Sequence, residues 1–175
     1  WRLLALSRPM SAREEASPGS EEQARVAALL DALGIRHLAG RDVLRLSGGE
    51  RQRVALAQCM LQGAPMMLLD EPVSFQDPSH QWQVGLLLRR HAARGEAGIV
   101  LTAHDLNWVG RVATHVLALH ADGSWSAGPA DEMIDPAVLE RVYECRWRRV
   151  GALVMPEVAE EERLAQMAKE PSRGA

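Results

Sequence analysis

The chain has 175 residues, 47% hydrophobic and 25% charged, enough for one globular domain whose core must be aliphatic, because only one Phe and one Tyr are present. A formal net charge of -3 argues against nonspecific nucleic-acid binding, which relies on many Lys and Arg neutralising phosphates, and Cys59 and Cys145 are too few and too far apart for a zinc site or a redox C-x-x-C. No apolar run approaches the roughly 18 to 20 residues needed to cross a bilayer and no basic-then-apolar leader opens the chain, so it reads as cytoplasmic unless a partner holds it at a membrane.

Position 1 is Trp rather than Met, so the chain reads as a fragment of a longer frame. Residues 11–20 are rich in Ser, Glu, Pro and Gly and read as a loop. Ser20 with Gln23 forms a capping-box pattern, and Val26, Leu29, Leu30 and Leu33 follow at helical spacing until Gly34 supplies a stop. A second helix is predicted from Ser47 to about Leu61, buried through Val54, Leu56, Ala57, Met60 and Leu61. Residues 65–69 read as a short buried strand. Asp77-Pro78 restarts a helix through Val84, Leu86, Leu87 and Leu88 to about Ala93, and Gly95 and Gly98 bracket the next turn. Ile99 to Thr102 reads as a strand, a short helix starts at Asp105, and Thr114 to Leu119 is another strand. Asp122-Gly123 turns it into an antiparallel hairpin with Trp125-Ser126-Ala127. Glu160 to Lys169 reads as a solvated acidic helix or tail. Strand and helix alternate, which implies a parallel sheet.

Chemistry concentrates in three places. Leu46-Ser47-Gly48-Gly49-Glu50-Arg51-Gln52-Arg53 admits simple helix capping, Ser47 capping and Glu50 answering. Capping does not ask for two glycines, whereas a helix start with Gly48 and Gly49 lets an anion reach unpaired N–H groups. Met66-Met67-Leu68-Leu69-Asp70-Glu71 ends an apolar run in two carboxylates, Asp70 standing 23 residues after Ser47. His104 stands 33 residues after Glu71, in Ala103-His104-Asp105-Leu106-Asn107. The other histidines, His37, His80, His91, His115 and His120, show no ligand spacing and read as surface or packing residues. Arg146-Trp147-Arg148-Arg149 reads as a solvated strand edge rather than a nucleic-acid or lipid patch.

Taken together, these motifs resemble the ABC-type ATPases, over roughly residues 1–155. The resemblance implies an α/β fold: the C-terminal part of a P-loop NTPase (RecA-like) parallel-sheet core, with a helical subdomain. It divides the chain into a helical subdomain over 1–62, the later half of the ATPase core over 63–155 and an acidic tail over 156–175. Ser47, Gly48, Gly49 and Glu50 become the signature that meets ATP in trans, Asp70 the Mg2+ aspartate acting through water, Glu71 the catalytic glutamate and His104 the switch histidine. Ser74-Phe75-Gln76-Asp77 takes the place of the family's D-loop, usually Ser-Ala-Leu-Asp. Asp77 then serves as an interface contact or as an N-cap, and the polar Gln76 is a departure expected to loosen the interface or alter coupling between two sites.

No G-x-x-x-x-G-K-[S/T] phosphate loop occurs in the 175 residues, and the family's Q-loop glutamine is lacking too. The implied partners are a second nucleotide-binding domain, packed head to tail, and transmembrane permease subunits, with no nucleic acid; the implied place is the cytoplasmic face of the membrane, peripherally. Trp1 to Leu6 and Arg41 to Leu46 mix apolar and basic residues as a permease-contacting surface would, or else pack the helical subdomain. His104 to Asn107, Leu139 to Tyr143 with Arg148 to Val150, and Trp1 to Leu6 most resemble ATPases of importers for vitamin B12, haem and iron chelates. Two other readings stand beside an importer ATPase: a truncated, non-catalytic module lending its signature to an intact partner, and an ABC ATPase of a soluble, non-transport system.

Overall fold

The computed structural model describes residues 20–157, and its contacts divide the chain into two compact units between Trp108 and Val109. Trp1 to Leu6 and the acidic segment from Glu160 to Lys169 lie outside the described residues.

In the first unit, helix α1 (Ser20–Ala32) buries Val26 and Leu30. Its end shows why the glycine is needed. Gly34 sits at φ 65°, its N–H bonding Asp31 O at 3.0 Å while Ile35 N–H reaches back to Leu30 O at 2.9 Å, the paired bonds of a Schellman stop. Leu33 and Ile35 are each 1% exposed, and burying each such side chain contributes about 1.5–3 kcal/mol. Two 3-10 turns follow, Arg36–Leu38 and Val43–Arg45, the second capped by Asp42, whose carboxylate accepts from Leu44 N–H.

Helix α2 (Gly48–Leu61) buries Leu56, Ala57 and Met60, while the flanking Val54 and Leu61 are half-buried. Strand β1 (Met66–Leu69) pairs in parallel with β2 (Gly98–Leu101), Met67 opposite Ile99 and Leu69 opposite Leu101. The expectation of a buried strand over residues 65–69 is corrected here: Met67 is 2% exposed, but Met66 and Leu68 are 61% and 73% exposed. Successive strand side chains point to opposite faces, and among the described residues only one face of this pair is covered. Between the two strands runs α3 (Pro78–Ala93), with Val84, Gly85, Leu88 and His91 buried. It closes on Gly95 at φ 68°, and the buried His91 ring lies 2.6 Å from Glu96, a packing histidine. Helix α4 (Leu106–Val112) begins in this unit, where Asp105 caps it by accepting from Asn107 and Trp108 N–H and the buried Trp108 indole donates to Gln81 O at 3.0 Å.

The second unit contains two antiparallel pairs. Strands β3 (His115–Leu119) and β4 (Trp125–Pro129) form the expected hairpin, Leu117 opposite Ala127, turned at Gly123 with φ 84°. Two short helices, α5 (Ala130–Met133) and α6 (Pro136–Tyr143), lead to β5 (Trp147–Val150) and β6 (Leu153–Pro156). Arg149 donates to Ile134 O at 2.8 Å, and Trp147 packs on Tyr143 with ring centroids 5.4 Å apart. Arg148 and Arg149 are exposed on this pair, in keeping with a solvated strand edge.

A candidate nucleotide site at the signature helix and strand ends

The N-terminus of α2 is built as its sequence suggests. Ser47 Oγ accepts from Glu50 N–H at 3.3 Å, and Ser47 N–H donates to Glu50 Oε2 at 2.7 Å, a complete capping box. The Ser47 amide and then its hydroxyl, both bonding the carboxylate, hold Glu50 below the usual carboxylate range. Ser47 and Gly48 are exposed, so the start of this 14-residue helix faces solvent with the positive end of its dipole.

The two glycines part company here. A Cβ on Gly48 would meet only the Phe75 side chain, Cγ at 3.9 Å and Cβ at 4.0 Å, whereas one on Gly49 would stand 2.7 Å from the Phe75 carbonyl oxygen. Gly49 therefore has a reason internal to this chain: the backbone of the 74–77 turn comes too close for any side chain. Sequence spacing gave no sign of that contact.

At the ends of β1 and β2 the two carboxylates and the histidine form one connected group. Thr102 Oγ1 donates to Asp70 Oδ1 at 2.5 Å and accepts from Glu71 N–H at 3.0 Å. Glu71 Oε1 in turn lies 2.6 Å from His104 Nε2. Parallel pairing makes this possible, since Thr102 N–H extends the β1–β2 ladder to Leu69 O at 3.0 Å and so sets Thr102 and His104 beside Asp70 and Glu71. Thr102 escaped the sequence reading; its signal was a hydroxyl two places before His104. Glu71 has φ 43°, a left-handed conformation that non-glycine residues rarely adopt.

Asp77 caps α3, accepting from Ser79 and His80 N–H at 3.0 and 3.2 Å, with the His80 ring against its other oxygen. The His80 ring, then the His80 amide, hold its carboxyl far below the ordinary range. Gln76 is not displayed on the surface: it is 8% exposed, and its amide bonds Gln52 and Pro72 O within its own chain. Phe75, beside it, is 76% exposed. Of the basic and apolar stretch before the signature, Arg41, Arg45 and Leu44 are exposed, Leu44 by 84%, while Leu46 is buried.

As a place for Mg2+, the donor set is apt. One carboxylate and one hydroxyl stand side by side, hard oxygens of the kind that hold Mg2+ together with waters and substrate phosphates. Among the described residues no group of three or more His, Cys, Asp or Glu would cage a metal unaided.

Residues 4–74 match the family model described as "ABC transporter". The chain is 40% identical over 131 residues to the hemin import ATP-binding protein HmuV of Chelativorans sp. (strain BNC1), covering 71% of this chain and 50% of that protein. It is 38% identical over 128 residues to the ferric enterobactin transport ATP-binding protein FepC of Escherichia coli (strain K12), covering 72% and 46%. The chain thus spans about half the length of these relatives. A chain in the inward-facing structure of an ABC transporter superposes with a TM-score of 0.69 at 24% identity, covering 91% of this chain and 66% of that one, a likeness that establishes the fold. The signature helix and the Asp70-Glu71 strand both lie inside the segment that matches the ABC transporter family.

Proposed function

We propose that this chain is part of the ATP-hydrolysing subunit of a membrane importer, working peripherally at the cytoplasmic face against permease subunits and pairing head to tail with a second nucleotide-binding domain. The observation that carries the reading is the contact between the Glu71 carboxylate and His104 Nε2 at 2.6 Å, one residue beyond an aspartate already engaged by a hydroxyl. Cargo is a haem or iron chelate on this reading, which follows the names of the relatives rather than vitamin B12. The division at residues 62 and 155 into helical subdomain, later ATPase core and tail belongs to the same proposal.

The chemistry assigned to each residue follows from its surroundings. Glu71, a half-buried carboxylate, orients the attacking water and takes up its proton. His104 holds the other side of that carboxylate and is 87% exposed, in reach of a terminal phosphate. Asp70, its direction set by Thr102, would hold Mg2+ through water, and the ion would supply charge neutralisation at the phosphates. Ser47, at the exposed start of α2, and the N–H groups of Gly48 and Gly49 meet the nucleotide of the partner domain, and Asp77 faces that partner while it caps α3.

Completed with the half of the HmuV relative that it does not match, the chain is expected to bind and hydrolyse ATP. Glu71→Gln should leave binding intact and lower turnover by roughly 10²–10⁴-fold, because it removes the base and keeps the shape. Alone, the 175 residues should show only background hydrolysis. Normal turnover by the completed Glu71→Gln protein, or turnover by the chain alone that this substitution abolishes, overturns the reading.

A further inference from the structure

We propose that Gln52 and Gln76 are positioning residues, a two-amide relay that holds the backbone of Glu71 in its left-handed conformation and so keeps its carboxylate on His104. Glu71, at φ 43°, occupies a region that is roughly five- to thirtyfold disfavoured for a residue with a Cβ, so something must hold it there. Its carbonyl oxygen accepts from Gln52 Nε2 at 2.5 Å and from Ser74 Oγ at 2.9 Å, while its N–H is taken by Thr102. Gln52 is aimed by Gln76, whose Nε2 donates to Gln52 Oε1 at 3.2 Å and to Pro72 O at 3.0 Å. Gln81 fixes the far side of the turn through Val73 O and Gln76 O.

Direction matters in this chain of bonds. Gln52 accepts through Oε1 and donates through Nε2, and Gln76 makes both of its bonds from Nε2, so a side chain lacking the N–H donors breaks the relay even if it fills the same volume. Gln76 Oε1 is buried and unpaired, a cost that an apolar residue such as the Leu of the family's D-loop pattern would avoid; the amide earns its place by what its nitrogen does. Since Gln52 lies on the signature helix and Gln76 in the 74–77 turn, the relay also joins the residues assigned to one nucleotide to the carboxylate assigned to the other. That last link rests on the proposed function; the geometry at Glu71 does not, and the experiment reads the geometry.

The test uses the 175-residue chain, isotope-labelled, with Gln52→Met and Gln76→Leu, which remove donors and keep bulk. Both are expected to shift the Glu71 backbone coupling constant away from its left-handed value and to move the His104 Nε2 resonance, while the Ser47 and Glu50 amides of the capping box stay in place. A purely structural role would lower stability and leave those two signals unmoved. A second measurement covers variants too unstable for spectra: in urea denaturation, Gln52→Met should lower the folding constant about fivefold more in the native chain than in a Glu71→Gly background, where nothing needs holding. Unmoved Glu71 and His104 signals in both variants, movement in Gln52→Met alone, or equal losses in the two backgrounds would each overturn the relay.

Discussion

Gly49→Ala tests how tightly the signature helix is packed against the 74–77 turn. The added Cβ would stand 2.7 Å from Phe75 O, well inside van der Waals contact and against backbone, which cannot swing aside as a side-chain tip would. Overpacking of this kind costs about 1–3 kcal/mol, offset by the about 0.5–1 kcal/mol that Ala gains over Gly in a helix. A net loss of about 1–2 kcal/mol results, or a Tm lower by roughly 2–8 °C in a chain this long. Gly48→Ala is the internal control, since its Cβ meets only the Phe75 side chain, at 3.9 Å or more, and it should be neutral or stabilising by up to about 1 kcal/mol. Urea denaturation followed by circular dichroism measures both. If Gly49→Ala proves as stable as Gly48→Ala, the turn does not press on the helix and the packing reason for Gly49 fails.

Two further outcomes are expected. In the completed domain, Ser47→Arg should leave the monomer folded and able to bind ATP but block ATP-driven dimerisation and turnover, because a bulky cation fills the exposed helix start that the partner's phosphate must approach; normal dimerisation by gel filtration and normal turnover would reduce Ser47 to a cap. Asp77, with its folded pKa depressed chiefly by the His80 ring, contributes stability that is present above the unfolded value of about 3.9 and lost as pH falls towards the folded value. The advantage of the native chain over Asp77→Asn in urea titrations should therefore hold at about pH 6 and shrink below roughly pH 4, and an advantage that does not change with pH would refute the assignment.

Much of this was written locally in the chain. The capping box at Ser47, the Asp77-Pro78 and Asp105 helix starts, the Gly34 stop and the Asp122-Gly123 hairpin depend on residues within a few positions of one another, and each formed where the spacing put it. The Ser47, Asp70-Glu71 and His104 set was legible for a different reason, because its letters resemble a known family. What only the tertiary structure decided involves partners far apart in sequence. Thr102 reaches Asp70 across 32 positions, Gln76 reaches Gln52 across 24, and Phe75 O excludes a side chain at Gly49. Burial followed the same division: period-2 alternation left Met66 and Leu68 exposed where an unbroken apolar run had suggested a buried strand. Hydrophobicity along a chain says that a residue can be buried; which neighbour covers it, and which backbone atom a side chain bonds, is set by the pairing of β1 with β2 and the approach of the turn to α2.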